Sequence, residues 1–345
     1  MRLRLILLAG LAVPLALSPI GCGGSSSRPD ELAGRIAFVG HRDRVFTVDA
    51  ADSTLTRIGR SPGSGRASWS PDGTTLAYSN PDGVIVVAKV PGDGESRLPR
   101  PFENTRCYDP VYSPDGSLLA CDLTEPWMIT VVDAGDGALV GRTPDCCYHP
   151  AWSPDGRRIA YISFGTFNRK VGEDGTYVGP AGIFVMNADG THRRLVVRTN
   201  VDLQPSPAWS SRDSIAFIGG DGAISTVDAA GTGLRRIVPL AEARPEGGLA
   251  WSPDGAKLAF QGGDGDYEIF VVNADGSGLT NLTNNDRIQD ESPSWSPDGQ
   301  AITFVSSRDE GPSQVFAMRA DGSGQTQLTH DDGWSACCPA WSPAR

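Results

Sequence analysis

Along most of this chain short apolar runs alternate with polar positions at a period of two. Leu76-Ala77-Tyr78, Ile159-Ala160-Tyr161 and Leu258-Ala259-Phe260 are examples, each followed by a second run such as Ile183-Phe184-Val185-Met186 or Ile269-Phe270-Val271-Val272. A third, shorter run follows in turn, as at 279–283. Alternation rich in β-branched and aromatic residues predicts β-strands with one or both faces buried. Pro-Asp-Gly and Ala-Asp-Gly separate the runs. An Asx side chain that bonds its own turn, followed by a glycine free to take positive φ, is the chemistry of a tight hairpin. Helical periodicity is confined to the first twenty residues, so the pattern predicts an all-β protein.

The pattern repeats. A W-S-P-D-G element begins at Trp69, Trp152, Trp251 and Trp295, recurs with tyrosine at Tyr112, and persists in degenerate form at Trp209 and Trp341. The seven starts are 43, 40, 57, 42, 44 and 46 residues apart. Each of the first six leads through three further runs, giving four strands per unit: a, entering the W-S-P element, then b, c and d. At the ends the bookkeeping closes on itself. Residues 35–39, 45–48 and 55–58 read as strands b, c and d without an a, and 339–343 reads as a lone a. Joined, they complete a seventh unit, and a ring closed in this way leaves no exposed sheet edge. Residues 34–345 divide into units of about 45, the length of a four-stranded propeller blade. The predicted fold is a seven-bladed β-propeller of four-stranded blades, closed by pairing of the N- and C-terminal strands in one blade.

These units, with Trp295-Ser296-Pro297-Asp298-Gly299 and Ile269-Phe270-Val271-Val272-Asn273-Ala274-Asp275-Gly276 as clear copies, closely resemble the WD40-like repeats of the TolB family. The resemblance implies an extracytoplasmic propeller whose relatives bind proteins or, in some branches, carry or assist enzymes. Seven units rather than six, and no separate α/β segment before them, set the chain apart from TolB itself.

The amino terminus is read as a targeting segment. Arg2 and Arg4 precede an apolar stretch at 5–20, broken only by Ser18 and two prolines, which is short for a membrane span. Gly21-Cys22 and the glycines and serines after it resemble the lipobox and tether of bacterial lipoproteins, with Pro19 where leucine is usual. Residues 1–21 are therefore expected to be a lipoprotein-type signal peptide, with Cys22 the lipidated residue. Residues 22–33 would be a flexible tether and 34–345 the propeller. The expectation is an exported protein, anchored on the outer side of a membrane through its lipid alone, or secreted or periplasmic if unlipidated, and a monomer. The formal charge of −11 repels phosphates and favours a cation or a basic protein surface, which argues against nucleic acid. Six cysteines follow Cys22, and in an exported chain an even number favours disulfides. Cys107 lies in a neighbouring unit at the same offset as Cys147, which suggests a cross-blade bridge from Cys107 to Cys146 or Cys147. The doublets Cys146-Cys147 and Cys337-Cys338 could instead close on themselves.

Candidate chemistry is sparse. Asp72, Asp115, Asp155, Asp254 and Asp298 form a conspicuous acidic series, but each lies in an a–b turn, where turn formation accounts for it. The tryptophans of strand a are expected between blades. Function in propellers sits where loops vary, so the d–a loops are the candidate binding rim. They hold Arg106, Asp109, His149, Arg244 and Asp290. The b–c loop of the fourth blade, at 163–182, is some 15 residues longer than its counterparts and carries Phe167 and Arg169, an aromatic-plus-base composition enriched at interfaces. The four histidines fall too far apart on the blade map for a metal centre. Asp264, Asp266 and Glu268 hint at calcium without completing the loop that binds it, so no cofactor is expected beyond that one candidate. No G-x-S-x-G or H-E-x-x-H occurs. A non-enzymatic propeller binding a protein or peptide of the cell envelope is the first expectation. A propeller enzyme of lyase or hydrolase type, or a glycan-binding protein acting at the channel mouth, is the alternative.

Overall fold

The computed structural model describes residues 32–92, 94–124, 127–143, 147–163, 181–199, 206–308, 311–330, 333 and 335–343. They form seven four-stranded antiparallel sheets. Six run a-b-c-d in chain order. The seventh, the first blade, pairs the last strand, Cys337–Trp341, against the first, Arg35–Gly40, followed by Arg44–Asp49 and Leu55–Pro62. Its register sets Ile36 opposite Trp341 and Ala37 opposite Ala340, so the two ends of the chain close the ring.

The W-S-P-D-G element is a self-contained turn. In the second blade the Ser70 hydroxyl donates to Asp72 Oδ1 at 2.6 Å and accepts the Thr75 amide at 3.0 Å. Asp72 Oδ1 in turn accepts the Thr74 amide, and Gly73 sits at φ +65°. The same serine–aspartate bond recurs at Ser113, Ser153, Ser252 and Ser296. That hydroxyl is the main cause holding each of these aspartates below its usual carboxylate range. The acidic series is thus turn chemistry, as the spacing predicts.

The tryptophans join the blades. Trp69, Trp152, Trp251 and Trp295 each donate the indole N–H at 3.0–3.1 Å to a carbonyl of the preceding blade's strand a: Ala340, Val111, Ala208 and Ala250. Trp209, in the degenerate turn, bonds Asp213 of its own turn instead. Between sheets lie the cores, for example Ile36, Phe38 and Val48 of the first blade against Ala301, Val315 and Leu328 of the seventh. Aromatic pairs face each other across strands b and c in four blades: Phe38–Phe46, Tyr161–Phe184, Phe260–Phe270 and Phe304–Phe316, with ring centres 5.4–5.7 Å apart.

Cys107 is disulfide-bonded to Cys121, not to the neighbouring blade. The two residues lie on adjacent strands a and b of the third blade, Arg106–Tyr112 and Leu118–Thr124, with Cα atoms 5.7 Å apart. Cys107 stands opposite Leu123, so Cys121 is its diagonal neighbour, and cross-strand proximity inside one sheet takes precedence over matching offsets in two sheets. Cys147 is buried in strand a of the fourth blade, Cys147–Trp152. Cys337 and Cys338 are not joined to each other by a disulfide. Cys146 and Cys22 lie outside the described residues.

Candidate functional site

Strand a does not run straight. In five blades the residue three before the aromatic takes positive φ: Asp109 (+47°), His149 (+61°), Gly248 (+64°), Ser292 (+56°) and Cys338 (+56°). Pairing with strand b slips at the same place. Such a bulge frees one residue from the ladder and re-aims its side chain. Counting Arg66 and Ser206 at the equivalent positions, seven residues, one per blade, surround the mouth of the axial channel. Arg66, Asp109, His149 and Ser206 line a cavity of about 630 Å³ whose walls descend past Trp69, Tyr112, Trp152 and Trp209. Gly248, Ser292 and Cys338 line a smaller space of about 230 Å³ that also touches Arg66. A separate hollow of about 380 Å³ lies on the opposite face among turns, lined by Arg35, Asp49 and Asp298 with glycines and prolines. The densest ionisable chemistry is at the channel.

The freed amides need acceptors, and the neighbouring blades supply them. Asp109 Oδ1 accepts the Arg66 amide at 2.7 Å, and Gln261 Oε1 accepts that of Ser292 at 3.0 Å. Asp122 Oδ1 accepts the His149 amide at 2.9 Å, while its other oxygen stands 3.5 Å from His149 Nδ1. Asp122 is only 8 % exposed, and burial pushes its carboxyl up to about 7, with the Asp109 charge adding to the rise and the His149 amide opposing it. Rings extend outward from this point: Tyr148 lies 6.0 Å from His149, and Trp127, 44 % exposed, lies 5.2 Å from Tyr148. On the other side the Cys337 thiol donates toward Cys338, which raises Cys337 and lowers Cys338; the Arg66 charge lowers both.

The structure thus brings together Asp109 and His149 of the expected rim, with Arg66 of the same set of loops, and adds Asp122, Tyr148 and Trp127. Arg106 is exposed at the start of its strand, against Gly83. Arg244, at φ +41°, ends the short helix Leu240–Ala243 and pairs with Asp264 at the surface. Asp290 is not a contact residue. It is wholly buried, bonded by Asn285 Nδ2 at 2.8 Å and Arg308 Nη2 at 3.3 Å, because the d–a loop folds inward over it. The calcium candidate is dispersed: Asp264 meets Arg244, Asp266 accepts the Arg287 amide, and Glu268 is buried with Thr283 and Asn285. Among the described residues no group of three or more His, Cys, Asp or Glu side chains could hold a metal ion. Phe167 and Arg169 lie outside the described residues. No helix among the described residues is long and apolar enough to cross a membrane.

Asp122 left a faint trace in the sequence. Strand b of the third blade reads Leu118-Leu119-Ala120-Cys121-Asp122-Leu123-Thr124, and an acid two residues past the central alanine has an apolar counterpart in most other blades: Val39, Ile162, Ile218 and Val305.

A family model described as the TolB beta propeller domain matches residues 173–345. Among solved structures, TolB from Acinetobacter baumannii aligns with a TM-score of 0.57 at 17 % identity, over 92 % of this chain and 68 % of that one. A puromycin-hydrolyzing peptidase of Mycobacterium tuberculosis aligns with a TM-score of 0.64 at 18 % identity, over 87 % of this chain and 53 % of the peptidase, so this chain spans about half its length. An oligogalacturonate lyase in complex with manganese gives 0.59 at 15 % identity, covering 87 % of this chain and 86 % of the lyase. At these identities the likeness is one of fold.

Proposed function

The chain belongs to the TolB β-propeller domain family, and from that premise we propose that it is a non-enzymatic, extracytoplasmic binding protein that receives an extended segment of a partner protein at its channel mouth. One observation carries this reading. The scaffold repeats from blade to blade, yet the seven equivalent positions at the channel mouth, five of them bulged, hold Arg66, Asp109, His149, Ser206, Gly248, Ser292 and Cys338, all different but for two serines. A rigid repeat bearing unlike side chains around one opening is a recognition surface. The leader supports export, with Cys22 the lipid attachment point and the following glycines and serines the tether, and we read the working form as a monomer in the cell envelope.

The test is in-cell photocrosslinking from position 148, at the rim, against position 234, where Leu234 is 58 % exposed on the outside of the fifth blade. One protein recurring from 148 and missing from 234 supports the reading. Equal capture from both, or no protein from 148, contradicts it.

A second reading rests on the Asp122–His149 contact. A carboxylate beside an imidazole orients it as a general base, so the cavity could host elimination or hydrolysis of a sugar or lactone. Turnover of a uronate oligosaccharide by the intact chain, abolished in His149→Ala, would favour it.

A further inference from the structure

We infer that the channel mouth anchors its partner through one basic side chain, an ammonium or guanidinium group seated between Asp109 and Asp122 with its alkyl stem along Tyr148 and Trp127. This rests on the peptide-binding reading and names the chemistry of the anchor.

The case begins with what the fold requires at position 122. Asp122 and Gln261 occupy equivalent places on strand b of the third and sixth blades, and each accepts the freed amide of the next blade's bulge. Gln261 shows that a neutral side-chain oxygen meets the need. A carboxylate at 122 therefore brings a charge the scaffold does not use, in a site only 8 % exposed. Buried charges are stable when paired. The charge acting on Asp122 from strand a of its own blade is that of Asp109, another acid. Asp109 itself spends Oδ1 on the Arg66 amide, and among the described residues no donor reaches its Oδ2. Tyr108 stands opposite Asp122 in the ladder. From the fourth blade His149 faces it, and among the described residues it is the one group beside Asp122 that can turn cationic. Strand c, on its other side, presents Ile129 opposite. Arg66, the only permanent cation among the seven equivalent positions, acts on Cys337 and Cys338.

Two acids and one imidazole, with Arg66 of the same cavity engaged by Cys338, make a pocket that gains from an incoming cation. Beside His149 stands the ring of Tyr148 and beyond it that of Trp127, and such faces attract cations and cover alkyl stems. The cavity of about 630 Å³ has room for a lysine or arginine side chain. The chain's overall charge of −11 draws a basic segment in the same direction. Binding of the cation competes with the proton on Asp122, whose carboxyl is pushed up to about 7 by burial, so affinity rises with pH through neutrality.

The experiment has two arms. A displayed library of random 12-residue peptides is selected on the intact chain at pH 8. Enriched peptides should carry lysine or arginine at one fixed position, lose at least tenfold in affinity to Asp109→Asn and Asp122→Asn, and bind less tightly at pH 6. Asp109 is half-buried, so its variant keeps the test valid should Asp122→Asn fold poorly. Peptides that bind the mouth without a fixed basic residue overturn the anchor and leave peptide binding standing. If no peptide is selected, the peptide reading fails, and the second arm decides the anchor alone. There n-butylammonium is titrated while the Asp122 carboxyl carbon is followed by NMR. A saturable shift lost in Asp109→Asn supports the pocket; no saturable shift overturns it.

Discussion

One half of the channel mouth differs from the other in chemistry, while the strand-a bulge occurs in both. From the second to the fourth blade the positions three before the aromatic are Arg66, Asp109 and His149, with Asp122 in the same cavity and the rings of Tyr148 and Trp127 extending from His149. From the fifth round to the first they are Ser206, Gly248, Ser292 and Cys338, small and without permanent charge. Both halves bulge at the same place and both satisfy the freed amide with a side-chain oxygen from a neighbouring blade. The backbone therefore sets where a side chain can face the channel, and the individual blade decides what it offers. The Asp122–Gln261 pair shows this most clearly: one structural task, done once with a charge and once without.

If the halves share one scaffold, damage to their cores should cost alike. Tyr161→Ala in the fourth blade and Phe304→Ala in the seventh remove wholly buried rings stacked in the same way. Each should lose about 3–5 kcal/mol in urea denaturation, and a large gap between them would break the equivalence. Asp122→Asn sharpens the contrast in charge. The folded carboxyl titrates near 7 against an ordinary value of 3.8. A raised acid favours folding while it is protonated, so its contribution is complete below about pH 4 and is lost as pH climbs through 7. The variant should remain bonded to the His149 amide and lose less stability over that range, by roughly 4 kcal/mol at most. Gln261→Asn should show no such pH dependence. If the Asp122→Asn and wild-type curves run parallel from pH 4 to 8, Asp122 carries no buried charge.

The disulfide gives the third test. Cys107→Ser with Cys121→Ser opens a loop of 14 residues and should cost about 3 kcal/mol, measured as a shift in denaturation midpoint that reductant reproduces in the native chain. The smallest effect separates the regular from the degenerate turn. Trp69→Phe loses a bond to the preceding blade and should cost about 1 kcal/mol more than Trp209→Phe, whose indole bonds an exposed aspartate of its own turn. Equal costs would mean the inter-blade bond adds nothing.

Much of this architecture was legible because its chemistry is local. Ser70, Asp72 and Gly73 make their turn among themselves, so five full copies and two degenerate ones announce seven blades, and the orphan strands at either end announce the closure. The site was less legible because it depends on neighbours far along the chain. Nothing in the sequence around Asp109 shows that it leaves the ladder, or that it will hold the Arg66 amide 43 residues away. Asp290 reads as a rim acid until Arg308 and Asn285 close on it. Cys107 finds Cys121 because the register that sets it opposite Leu123 makes Cys121 its diagonal neighbour, which residue spacing does not reveal.

The most direct measurement compares the two halves in cells. A photocrosslinker is placed at 148, and in a second strain at 291, the equivalent position of the seventh blade, and the captured segments are sequenced by mass spectrometry. The account predicts that captures from 148 converge on one segment of one protein, with a lysine or arginine beside the crosslinked residue, and that 291 captures the same segment weakly or not at all. Capture that is equal from both positions, or that never converges on a segment, would contradict it.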